Sequence, residues 1–237
     1  MSYLATILII GMLITVHELG HLLAAHCVGI PVARFSIGFG PVLWARRFRD
    51  VEYCVSLIPL GGYVLPRFED EAEFQRISAS RRIVLWFGGP LANLVSAGLL
   101  LALVNGITTG YSWYGQLVQP WLQVAHQSAE FVAALGGIVA RPDQLSGIVG
   151  IVAAGKSVMG GGLVSALRFA VLLNLNLAIF NLLPIAPLDG GKIFCTLLEK
   201  LDRRLARFQT GFSIAGLMLL LLLMVYSTVL DVVRQLA

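Results

Sequence analysis

Four stretches of the chain stay apolar for the roughly 20 residues that a membrane-crossing helix needs. They lie at about 4–27, 83–104, 163–185 and 212–232. The third is interrupted by Arg168, Asn174, Asn176 and Asn181, which should face protein rather than lipid. Between the first two, the period changes. Phe35-Ser36-Ile37-Gly38-Phe39 and Val51-Glu52-Tyr53-Cys54-Val55-Ser56-Leu57 alternate in steps of two, the signature of strands. With the polar connection Arg46–Asp50, they predict a β-hairpin or small sheet over about 33–65, closed by Gly61-Gly62. Its apolar content between two spans suggests a re-entrant region that dips into the membrane. Such backbone is tolerated there only where it is buried in protein or lines a wet cavity.

The rest of the pattern is amphipathic. Residues 116–140 carry Leu117, Trp121, Ala125, Val132 and Leu135 near helical spacing but are too polar to span, and read as a helix on the outer interface. Glu69–Arg82 reads as a polar linker or short helix, Arg141–Gly162 as a glycine-rich loop, and Lys192–Phe208 as a second amphipathic segment. The fold class is therefore a mainly α-helical membrane protein. A single domain over 1–237 holds four transmembrane helices, a re-entrant β-region and a peripheral amphipathic helix.

Composition agrees: 57% of the 237 residues are hydrophobic and only 13% charged, which excludes an ordinary soluble domain. Charge adds an orientation. Eight arginines (Arg34, Arg46, Arg47, Arg49, Arg67, Arg76, Arg81 and Arg82) separate the first two spans, and Lys192, Lys200, Arg203, Arg204 and Arg207 separate the last two. The connection between them has only Arg141 and Lys156. The positive-inside rule then puts both termini outside. Basic residues that flank membrane spans argue against a nucleic-acid surface. The first span has no preceding Lys or Arg and no evident cleavage site, so it reads as retained. Cys27, Cys54 and Cys195 show no C-x-x-C spacing and read as small apolar filler.

Against this background His17-Glu18-Leu19-Gly20-His21 stands out, because it lies inside the first span. A carboxylate near the bilayer centre costs roughly 2.5–3.5 kcal/mol on insertion scales, so ionisable residues at such depth point to function. H-E-x-x-H is the spacing of a zinc hydrolase. Four residues apart on an α-helix, His17 and His21 share a face and can share one metal, while Glu18 can reach a water beside it. A polar cluster at a helix interface is the plainer alternative. A metal site needs a third ligand, a carboxylate or histidine at similar depth. Asp189, just past the third span, is the candidate, although Asp189-Gly190 could also be a simple turn. His26 lies about 140° around the helix from His21 and reads as interfacial, and His126 as remote from the site.

These motifs together resemble the site-2 proteases, a family of intramembrane zinc metalloproteases. The resemblance rests on H-E-x-x-H in the first span, Gly89-Pro90-Leu91-Ala92-Asn93 in the second, and Asn181…Pro184…Leu188-Asp189-Gly190 after the third. Phe35–Gly40, Ile58–Val64 and Leu145-Ser146-Gly147 look like the branch of the regulator of sigma-E protease. The resemblance implies one Zn2+ held by His17, His21 and Asp189, Glu18 as catalytic base, and Asn181 positioning the substrate or its oxyanion. Gly61, Gly62 and Asn93 are further candidates for substrate contact. It implies single-span membrane proteins as substrates, such as an anti-sigma factor or signal-peptide remnants, and the bacterial inner membrane as location. The PDZ domain usual in that branch between spans two and three is missing here. Two other classes compete: a scaffold of the same fold that binds transmembrane helices without cutting, and an ion transporter. The intact Glu18 argues against the first, and the lack of a second ionisable cluster in the outer half argues against the second.

Overall fold

The computed structural model describes residues 2–68, 71–140, 150, 155, 158, 160–202 and 209–236. In chain order come α1 (Ser2–Cys27), β1 (Val32–Phe48), β2 (Val51–Pro66), α2 (Glu71–Gln75), α3 (Ala79–Thr109), α4 (Trp113–Leu117), α5 (Gln119–Ala140), α6 (Gly162–Leu182), α7 (Asp189–Leu201) and α8 (Gln209–Leu236). Among them Leu4–Cys27, Ala79–Thr109, Gly162–Leu182 and Gln209–Asp231 are long and apolar enough to cross a membrane. The 21 residues of α6 make a rod of about 31 Å, close to the thickness of a hydrocarbon core.

Helix α3 begins earlier and ends later than its apolar stretch. Hydropathy marks the part that lipid touches, whereas the backbone ladder continues through Ser80, Arg81 and Arg82. Helix α6 stops at Leu182, short of the expected 185. Pro184 disfavours helical backbone in the residue before it, and Leu183 is extended (φ −62°, ψ 141°). The polar residues of this span divide. Asn174 is fully buried and donates to Ser96 Oγ at 3.1 Å, but Arg168 is exposed near the start of the helix. The outer amphipathic stretch is two helices rather than one, broken before Pro120 in the first turn of α5. The connection between α5 and α6 is residues 141–161, too short for a PDZ domain. Leu145-Ser146-Gly147, and most of the predicted glycine-rich loop, lie outside the described residues.

The β-region spans 32–66, nearly as its alternation predicts, and it turns within the polar connection Arg46–Asp50 rather than at Gly61-Gly62. The reversal is at Arg49-Asp50, with Arg49 at φ 53°. Gly61 and Gly62 lie inside β2, where they admit neighbours: a Cβ on Gly62 would meet Ser36 O at 2.8 Å and Glu18 Cγ at 2.9 Å. Both strands are long and bent. Ser36 is in register with both Cys54 and Tyr63, so the first part of β1 lies between the two halves of β2. Among the described residues the second half, 62–66, pairs on that side alone and forms an edge of the sheet.

Two apolar clusters hold the elements together. Leu22, Ala25, Ile30, Val32, Phe35, Val51 and Leu85 join α1, the sheet and α3. Ala97, Leu101, Val124, Val171 and Leu175 join α3, α5 and α6. Cys54 and Cys195 are buried free thiols that fill space, and Cys27 is exposed. Helix α8 turns most of its surface outward, with Leu217, Met218 and Leu222 exposed, as a lipid-facing helix would.

Helices α1 and α3 touch backbone to backbone where Gly20 meets Gly88. A Cβ on Gly20 would come within 2.3 Å of the Gly88 carbonyl oxygen. Small residues at a helix crossing permit this approach in a membrane. Gly20→Ala should therefore push the helices apart and cost about 1–3 kcal/mol, measurable as a lowered unfolding midpoint in detergent. An unchanged midpoint would show that this contact does not hold the pair.

Candidate metal centre

The crossing of α1 and α3 sets the position of the two histidines. His17 and His21 are each 6% exposed, and their Nε2 atoms lie 3.2 Å apart. The chain beyond α6 brings in the third group. After Leu182 it folds back on itself so tightly that a Cβ on Gly190 would lie 2.2 Å from the Leu182 carbonyl oxygen. That turn places Asp189, 4% exposed, as the first residue of α7. Its Oδ2 lies 3.0 Å from His17 Nε2 and 3.2 Å from His21 Nε2. Burial works against the ionised Asp189, but its contacts with His17 and His21 and the nearby Lys192 outweigh that and hold its carboxyl below the usual carboxylate range.

The three donors thus form a nearly equilateral triangle. Ligands about 2.0–2.1 Å from a tetrahedral zinc lie roughly 3.3 Å from one another, close to the observed edges. Among the described residues this is the one group of three His, Cys, Asp or Glu side chains so placed. Two features behind the triangle favour a cation. His21 Nδ1 lies 2.8 Å from the Leu85 carbonyl oxygen, which can only accept. Nδ1 therefore carries a proton, and in the neutral ring Nε2 is the nitrogen left to bind a metal. Gly89 faces both rings: a Cβ there would lie 2.4 Å from His21 Nε2 and 2.6 Å from His17 Nε2. Only glycine leaves that cradle open.

A cavity of about 260 Å³ opens on the triangle. Glu18 lines it, as do Asn181, Trp86, Lys192 and the Gly62–Val64 stretch of β2. Asn181 donates Nδ2–H to the Leu177 carbonyl at 2.9 Å, leaving its other amide hydrogen and its oxygen for a guest. Lys192 reaches back to Asp189, Nζ to Oδ1 at 3.3 Å, with the ammonium 4.3 Å from the centre of the Trp86 ring. The cavity is thus walled by the metal triangle, a carboxylate and a strand edge.

The sequence profile of peptidase family M50 matches residues 5–223. The chain belongs to peptidase family M50, the site-2 proteases. Its relatives include proteins provisionally named zinc metalloproteases. One from Campylobacter jejuni is 28% identical over 98% of this chain and 94% of its own length. One from Nostoc is 31% identical over 91% of this chain and 64% of its own length. One from Xylella fastidiosa is 45% identical over 38% of this chain and 23% of its own length. The Campylobacter alignment runs over 344 positions, so about a third of it has no counterpart in this chain of 237 residues. A family member without a PDZ domain agrees with that. Family and fold together make this M50 protein an integral membrane zinc metalloprotease, and its buried donor set of two imidazoles and one carboxylate fits zinc.

The structure distributes the predicted site residues unevenly. His17, Glu18, His21, Asp189, Asn181 and Gly62 all line the cavity. Gly61 does not: it packs on the Phe39 ring. Asn93 does not line it either. It is fully buried and its amide contacts His17 Nδ1 at 3.1 Å. His26 is exposed, its Nδ1 on the Leu22 carbonyl, and His126 is an exposed partner of Glu130. Leu85, Trp86, Gly89 and Lys192 are additions. Lys192, one helical turn past Asp189, was the most readable of them.

Proposed function

We propose that this protein is an intramembrane endopeptidase that cuts single-span, membrane-anchored proteins within or beside their transmembrane segment. The observation that carries this is the buried triangle of His17, His21 and Asp189 opening on a cavity that also holds Glu18 and a free strand edge. In this reading the three residues hold zinc through His17 Nε2, His21 Nε2 and an Asp189 oxygen. Three protein ligands and an open position are the pattern of a catalytic rather than a structural site. Zinc there supplies a Lewis acid for the scissile carbonyl and lowers the pKa of water from 15.7 to about 7. Glu18 takes the proton of the attacking water and returns it to the leaving amine. Asn181 fixes the scissile segment through its amide.

A transmembrane helix hides its peptide bonds, so the substrate must unwind locally before it reaches Glu18. The 62–66 edge of β2 gives the unwound segment backbone partners in place of those it loses. Proline at Tyr63 or Val64, one residue of the pair having its N–H on the open side, should reduce cleavage strongly while zinc content stays at one per chain. Unchanged cleavage by both variants would sink strand addition. The metal centre sits toward the arginine-rich end of the helices, where Arg81 donates to the Val28 and Gly29 carbonyls and Arg82 pairs with Glu199 at 2.8 Å. That supports an active site on the cytoplasmic side of a bacterial inner membrane, with both termini outside.

The overall test is cleavage of a panel of single-span substrates by purified protein in liposomes, before and after chelation. Zinc-dependent cuts inside or beside the membrane segment are the expected result. Cleavage of soluble peptides only, or zinc binding without any cleavage, would overturn the reading.

A further inference from the structure

We infer that Asn93 is a positioning residue acting through His17: its side-chain oxygen accepts the Nδ1 proton of His17 in the zinc-loaded protein and turns the bare Nε2 toward the metal. The inference rests on the reading of His17 as a zinc ligand.

A neutral imidazole has one N–H and one lone pair, and a metal takes the lone pair. His21 meets this requirement through the backbone, because the Leu85 carbonyl accepts from Nδ1 and leaves Nε2 bare. Among the described residues, no carbonyl accepts from His17 Nδ1. Its partner is the Asn93 amide at 3.1 Å, and an amide can present either its NH2 or its oxygen. With the NH2 toward His17, Nδ1 must accept. The ring proton then sits on Nε2, which faces Asp189 Oδ2 at 3.0 Å. That arrangement ties up the lone pair a metal needs.

Half a turn of the amide exchanges the two groups in nearly the same space. Oδ1 then accepts Nδ1–H, and His17 presents Nε2 as His21 does. Asn93 is fully buried, so it is the amide and not solvent that decides the tautomer. Helix α3 thus backs both rings from one stripe: the Leu85 carbonyl behind His21, Asn93 behind His17, and Gly89 between them leaving room at the nitrogens. Outer partners of this kind typically tune zinc affinity by roughly 10–100-fold.

The test titrates metal-free protein with zinc alone against a chromophoric chelator, for wild type, Asn93→Leu and Asn93→Asp. Asn93→Leu should weaken zinc binding roughly 10–100-fold. Asn93→Asp, whose carboxylate only accepts, should return to within a few-fold of wild type. Wild-type affinity in Asn93→Leu would overturn the inference and leave the zinc site standing. Failure of the wild type itself to bind zinc would instead overturn the ligand reading beneath it. Nitrogen-15 spectra of histidine-labelled wild type need no variant. In the zinc form His17 should carry its proton on Nδ1, and a proton on Nε2 would overturn the proposal however the variants fold.

Discussion

Glutamine at position 18 is expected to stop peptide-bond hydrolysis while leaving zinc in place. Glu18 is not one of the three converging donors; it lines the cavity beside them, packed where Gly62 leaves space. Glutamine keeps that shape and loses the ability to take a proton. General-base catalysis contributes about 10²–10⁴ in rate, or roughly 3–5 kcal/mol of barrier. The measurement is kcat/KM on a single-span substrate together with zinc content. Activity within tenfold of wild type would refute the base assignment. A variant that loses both zinc and activity would show instead that Glu18 helps hold the metal, which the observed triangle does not require.

How much of this was readable beforehand depended on whether the signal was local. The four spans, and the shared face of His17 and His21, follow from periods that a few helical turns establish. Asp189 was nameable as a candidate, but nothing local distinguishes a metal ligand from the aspartate of an Asp-Gly turn. The chain reversal at 183–188, which brings it to α1, is a tertiary event. The paired glycines at 61 and 62 were misleading for a physical reason. Gly-Gly usually marks a turn, yet here the absent side chains make room for Phe39, Ser36 and Glu18 against a strand. Asn93 misled in the opposite way. Its side chain invited a substrate contact, but burial under His17 commits it to the ring. Gly88 and Gly89 show the limit most clearly. Adjacent and identical in sequence, they face different neighbours, one the backbone of α1 and the other the two histidine nitrogens.

That difference makes a separable pair of expectations, and the larger belongs to Gly89. A Cβ on Gly89 would stand 2.4 Å from His21 Nε2 and 2.6 Å from His17 Nε2, against the two nitrogens that would bind a metal. Relief by shifting α3 is closed off, because Gly88 already lies against Gly20 and Ala24 of α1, and the His21 ring is pinned to the Leu85 carbonyl. Gly89→Ala should therefore weaken zinc binding beyond the roughly 10–100-fold that loss of an outer hydrogen bond costs, and bring cleavage below detection. The metal-free protein should also lose some stability, because the methyl meets buried ring atoms with little room to move, but zinc affinity should be the first property lost. Gly88→Ala should behave the other way: its Cβ would meet Ala24 Cβ at 2.5 Å and the Gly20 carbonyl at 2.5 Å, so the midpoint falls before the site is lost. Zinc titration and thermal unfolding of both variants decide the matter. Wild-type zinc affinity in Gly89→Ala would mean that the histidine nitrogens do not face a metal across that glycine.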